Sequence, residues 1–167
     1  MVRGLRLRNR GSPTRSSDES FSGEILLVFQ LPPSTNRLYQ TRRGGAGKAL
    51  TKEAKTYREH VKATVAANLA RLQVPFDDKS VFSFDLRLYF DSLRNKKPPA
   101  KNWYKRIDVD NRVKFLQDCV SKSVGIPDDS QIFDGRQRKY EDPEHPRAEV
   151  RIRVIPAEQF FPGGEHG

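Results

Sequence analysis

Residues 106–115 read RIDVDNRVKF, with Asp108 and Asp110 one residue apart, Asn111 beside them and Lys114 four residues after Asp110. In extended backbone the two aspartates point to one side, whereas inside a helix they diverge by roughly half a turn. The chemistry therefore depends on where a helix begins. A helix starting near Val109 or Asp110 puts Asp108 in the N-cap region, lets both carboxylates converge, and sets Lys114 one turn along the Asp110 face. Two carboxylates about 4 Å apart repel by ~1 kcal/mol in water and ~4 kcal/mol at an effective dielectric of 20, and a divalent cation relieves this. Oxygen-only ligation suits Mg²⁺ or Mn²⁺ rather than zinc. Such an ion activates water and stabilises charge on a phosphodiester during in-line attack. Past a Gly-Ile-Pro turn at 125–127 come Asp128 and Asp129, which a helix–turn–strand return brings back toward the first pair. The competing reading is electrostatic. Acids at a helix N-terminus gain ~0.3–1 kcal/mol from the macrodipole, Lys114 or Arg112 pairs with them, and Asp128–Asp129 is a solvated turn. Spacing alone leaves both open.

Charge bears on the choice. The chain has 167 residues, 31 Lys and Arg against 21 Asp and Glu, and a formal net charge of +10. That balance favours a polyanionic partner, nucleic acid first, through release of condensed counterions. From Arg94 to Lys114 lie eight basic residues and only two acids, Asp108 and Asp110. An anionic patch inside a phosphate-attracting surface works against that surface unless a metal inverts its sign. Trp103 and Tyr104 interleave with the bases, as rings that either stack on exposed nucleobases or pack at a strand edge. One Cys and three His exclude a disulfide framework and a clustered zinc site, and point to a reducing, intracellular setting. The longest apolar runs, ILLVF and VFSF, are far short of the ~20 residues of a membrane span.

The elements that must position these groups follow from periodicity. Residues 1–22 are rich in Arg, Ser and Gly with few apolar anchors, which predicts a disordered basic arm. Its Arg/Ser bias resembles an organellar transit peptide, but Asp18, Glu19 and the lack of an amphipathic stripe weaken that reading, and a DNA-gripping arm or an upstream start explains it as well; the expected setting is cytoplasmic or nucleoid-associated. The folded domain spans 23–156, followed by a flexible tail at 157–167. A strand at 24–30 ends at Pro32 and Pro33, and 34–50 reads as a mobile loop with a glycine-rich tip. Thr51 caps a helix to about Leu72, with Tyr57, Val61, Val65 and Leu69 inward. Val81–Phe90 alternates as a half-buried strand, a second helix runs from Asp110 to Val124, and strands follow near 131–140 and 148–155. The expected fold is α+β: one domain, a mixed sheet of about four strands against two main helices, in β-α-β-α-β-β order.

The string D-V-D-N-x-x-K, with Asp-Asp beginning twenty residues after the first aspartate, resembles the RusA-like family of Holliday junction resolvases. LPPSTNRLYQ at 31–40, a glycine-containing loop and the helix opening LTKEAKTYREHV resemble that family's N-terminal P-P-S-x-N-x-x-Y segment. The resemblance covers about 24–155. It implies a homodimeric, Mg²⁺-dependent endonuclease that binds four-way DNA junctions and cuts symmetrically related strands. By position, Asp108, Asp110 and Asp129 match the metal-binding acids, with Asp128 not separable from Asp129, and Lys114 matches the catalytic lysine. Lys114 then orients the scissile phosphate or stabilises transition-state charge. Asn36, Arg37, Tyr39, Lys96, Lys97, Lys101, Arg106 and Asn111 are the expected DNA contacts. For Asn36, Arg37 and Tyr39 the alternative is a strand-terminating turn with Tyr39 packed inside. The chain departs from the compact pattern in its basic arm, its tail and the insertion NKKPPAKNWYK before the acids. These leave open a broader flap or fork nuclease, or a DNA-binding module without catalysis.

Overall fold

In the computed structural model, residues 23–42, 44–45, 47–71, 76–96, 102–107 and 109–161 are described. The basic arm at 1–22 and the tail end at 162–167 lie outside them. The elements are β1 (Glu24–Phe29), α1 (Thr35–Leu38), β2 (Tyr39–Thr41), β3 (Lys48–Leu50), α2 (Lys52–Asn68), β4 (Val81–Phe90), α3 (Asp110–Val124), β5 (Ile132–Glu141) and β6 (Arg147–Ile155). Short 3-10 turns occupy 69–71, 129–131 and 157–159. The expected α+β class, the mixed four-stranded sheet and the two main helices are all present.

The sheet order is β1-β6-β4-β5, with β4 and β5 parallel and the other pairs antiparallel. β4, α3 and β5 thus form a crossover unit, since parallel neighbours need a connection long enough to return the chain. The turn-rich 142–146 passes over β4 instead of closing a hairpin, because β6 inserts between β1 and β4. Alternation does the sorting. Ile25, Leu27 and Phe29, with Phe82, Phe84, Leu86, Leu88, Ala148, Val150 and Ile152, face the core, and α2 and α3 cover them. Each Val, Leu, Ile or Phe among them is worth roughly 1.5–3 kcal/mol when fully buried, as an upper estimate.

α2 begins as its sequence predicts. Thr51 accepts a hydrogen bond from the Ala54 amide at 3.1 Å and its own hydroxyl donates to the Arg37 carbonyl. Ala54, Tyr57, Val61 and Val65 form its buried stripe. The helix ends at Asn68 and a 3-10 turn finishes it, short of Leu72. Tyr57 meets Phe115 of α3 with ring centroids 6.1 Å apart and donates to the Gln30 carbonyl at 2.8 Å. Burial pushes its phenol well above the usual range.

Residues 34–50 differ from the expected continuous loop. Leu38 is fully buried and anchors the one-turn helix α1, and β2 pairs antiparallel with β3. Gly44, Gly45 and Gly47 take φ of 93°, 77° and 85°, the left-handed values that let the hairpin tip turn back.

Candidate active site

α3 starts at Asp110, and its N-cap is Val109, at φ −95° and ψ −31°, with no side-chain capping bond. Val109 is buried and its carbonyl accepts the first helical bond from Val113 at 2.8 Å. The N-cap is therefore an apolar anchor, so Asp110 is not the capping acceptor. Its exposed carboxylate stands at the first helical position, where the macrodipole still favours it. Asp108, the residue before Val109 in sequence, lies outside the described residues.

At the far end, Gly125 adopts φ 92°, and the amides of Gly125 and Ile126 both donate to the Ser121 carbonyl, at 3.0 and 2.9 Å. This cap reverses the chain. From Val124 back to Lys114 is about 15 Å along the helix axis, and five extended residues span at most about 17 Å. The return segment just reaches. Asp129 arrives beside Lys114, whose Nζ donates to Asp129 Oδ2 at 2.6 Å and lies 3.2 Å from Asp118 Oδ1. The Asp129 bond, then the Asp118 bond, raises the lysine's pKa, so its positive charge is secure at neutral pH. Asp128 faces a different task. It accepts from the Ser130 amide at 2.7 Å as cap of the 129–131 turn, and that bonding to Ser130 lowers its pKa. This separates the neighbours that the sequence could not: Asp129 joins the lysine, and Asp128 holds the turn.

The donors present are carboxylate oxygens, a set that fits Mg²⁺ or Mn²⁺. Lys114 engages Asp129 through Oδ2, so Asp129 has a second oxygen to offer a cation. Among the described residues no three acids, histidines or cysteines form a ready-made cage. Asp110 and Asp129 each carry an exposed carboxylate, and a small hydrated cation held by such a partial set would keep several of its waters.

The other expected contacts scatter around this centre. Asn36 and Arg37 are exposed on α1, with Arg37 3.3 Å from Glu53. Tyr39 is exposed instead of packed inside, because Leu38 takes the buried position. Lys96 and Arg106 are exposed, as is Asn111 on α3. Lys97 and Lys101 lie outside the described residues. Three contributors escaped the sequence reading. Asp118 shares the lysine, a pairing its i+4 spacing from Lys114 announces. Lys139 of β5 reaches the Ile107 carbonyl at 3.4 Å, a contact between distant segments with no local signal. A groove of about 670 Å³ between α2 and α3 includes Arg58, Lys62 and Lys122 in its lining, together with Tyr39 and Asp118.

Residues 30–153 match the family described as endodeoxyribonuclease RusA, a span from just after β1 into β6 that contains every candidate acid and Lys114. No curated protein matches the chain.

Proposed function

The chain belongs to the RusA endodeoxyribonuclease family, and on that premise we propose that it resolves Holliday junctions in DNA recombination and repair. The reaction is metal-dependent phosphodiester hydrolysis that leaves paired, symmetric nicks. The observation that carries this reading is the return of Asp129 onto Lys114, one turn from Asp110. A lysine and carboxylates that the chain separates are brought together on an exposed surface, where phosphate can approach.

Asp110 and Asp129, with Asp108, hold the cation, Mg²⁺ or Mn²⁺. When bound, that ion supplies an activated water and stabilises charge on the phosphodiester. Lys114 orients the scissile phosphate and offsets the charge that grows on it, a task for which its raised pKa keeps it charged. Asp118 steadies Lys114 from the same helix face. Asn36, Arg37, Tyr39, Lys96, Lys97, Lys101, Arg106 and Asn111 contact DNA around this centre. A homodimer sets two such centres on opposing strands, which is how a two-fold assembly yields symmetric cuts. Among the described residues no helix is long and apolar enough to cross a membrane.

The test is cleavage of a four-way junction, a fork and a linear duplex by wild type and Lys114→Ala, with Mg²⁺ and with chelator. Metal-dependent paired nicks on the junction, lost in the variant, are expected. Equal cutting of forks would shift the reading to a broader nuclease. Tight binding without cutting under any divalent ion would leave a DNA-binding module.

A further inference from the structure

Between β4 and α3 the chain builds a narrow antiparallel stalk from residues 92–96 and 102–105. Arg94 and Tyr104 form a β-bridge, the Asn95 amide donates to the Trp103 carbonyl at 3.1 Å, and the Lys105 amide donates to Leu93 at 2.9 Å. The Asn95 side chain closes the stalk by donating to the carbonyls of Asn102 and Tyr104, at 3.0 and 3.3 Å. Glu141 of β5 fastens its base by accepting from the Leu93 amide at 2.8 Å. This segment is anchored, yet it presents Trp103 at 73 % and Tyr104 at 71 % exposure. Large aromatic rings normally bury most of their surface in a core, whereas here two consecutive rings stand in solvent on a braced support.

The surroundings say what binds. Arg94, Lys96, Lys105 and Arg106 are exposed, and no acid occurs among residues 92–96 or 102–107. Rings interleaved with exposed cations are the composition of surfaces that take single-stranded nucleic acid, the cations tracking phosphates and the rings stacking on bases. Seven residue steps lead from Trp103 to Asp110, so their Cα atoms lie at most about 25 Å apart. That is roughly seven phosphate steps along a strand.

Building on the proposed nuclease reading, we infer that Trp103 and Tyr104 form a stacking platform for an unpaired base at a DNA branch point, and so select branched over linear DNA. The bracing bonds hold the rings in place before DNA arrives, which reduces the ordering cost of binding.

Trp103 is the single tryptophan of the chain, so its emission reports on the platform directly. Wild type is titrated without divalent ion with a labelled four-way junction and with a linear duplex of the same arms. Anisotropy of the label gives binding, and tryptophan emission gives stacking. Quenching that saturates with junction binding and is much weaker on duplex at equal occupancy is expected. Trp103→Ala and Tyr104→Ala should each weaken junction binding by roughly 5- to 150-fold while duplex binding holds, and Trp103→Phe should restore most of the loss. Junction binding with unchanged emission, and with full affinity in the double alanine variant, overturns the platform. An emission change that tracks protein concentration without DNA also overturns it, by making the rings a contact between copies of the chain. Cutting assays on the same samples keep the two readings apart. Junction cleavage without quenching rejects the platform alone, quenching without cleavage rejects the nuclease alone, and failure to bind branched DNA rejects both.

Discussion

Asp110→Asn separates a metal-site carboxylate from a structural one, because the geometry of α3 fixes what the substitution costs in stability. The N-cap is Val109, whose side chain makes no capping hydrogen bond, so the ~1 kcal/mol loss expected on removing a capping residue does not apply to Asp110. What remains is the macrodipole's favour for a negative charge in the first turn, about 0.3–1 kcal/mol, toward the low end because the residue is exposed. For a domain of this size that lowers Tm by roughly 1–4 °C. Activity should respond on another scale. Changes to groups that merely support metal ligands cost about 10- to 100-fold, so loss of a ligand should cost at least the upper figure. Urea or thermal unfolding followed by circular dichroism, beside single-turnover junction cleavage, measures both. Cleavage within a few-fold of wild type would sink the metal-site reading. A stability loss above about 2 kcal/mol would show that Asp110 holds the helix in a way its position does not reveal.

The pairing of Lys114 with Asp129 and Asp118 is solvent-exposed on all three side chains, so Asp118→Asn should cost at most about 0.5 kcal/mol in unfolding. It should nonetheless slow cleavage by loosening Lys114, and an unchanged single-turnover rate would remove Asp118 from the site. Gly125→Ala must hold an alanine at φ 92°, a strain of roughly 1–2 kcal/mol that urea titration would register as a lower midpoint. Cys119 is buried, and burial pushes its thiol up to about 11 from 9.0. The folded value is the raised one, so the stability tied to the neutral thiol is complete below pH 9 and declines as pH rises through about 11. The full span is ~2–3 kcal/mol. Unfolding free energies at pH 8 and pH 10.5 for wild type and Cys119→Ala would show a shallower decline in the variant, and equal slopes would contradict the assignment.

Much of this was legible because the relevant signals are local. The period-two pattern of Val81–Phe90, the apolar stripe from Tyr57 to Val65 and the Gly125 stop each depend on neighbours within a turn or two, and each element appears where its pattern places it. The Asp110–Lys114 spacing is also local. β2 and β3 were missed because three residues apiece are too few to show alternation, and Leu38, which fixes their position, is one apolar residue among polar ones. The different employment of Asp128 and Asp129 was invisible for another reason. Adjacent identical residues carry no pattern, and only the reach of the return segment decides which one meets Lys114. The exposure of Trp103 and Tyr104 likewise depends on bonds between residues 92–95 and 102–105, which composition alone does not fix.

The sheet order has a consequence for how the chain is made. Among the described residues β1 hydrogen-bonds in the sheet only to β6, and β6 is the last of the described strands to be synthesised. Translation at about 5–20 residues per second leaves the apolar EILLVF segment without its partner for roughly 6–24 s while residues 30–147 emerge. During that interval β4 also lacks the neighbour that will separate it from β1. A newborn chain therefore carries two unsatisfied strand edges until β6 emerges, and a message truncated before Arg147 yields a polypeptide that cannot close this sheet.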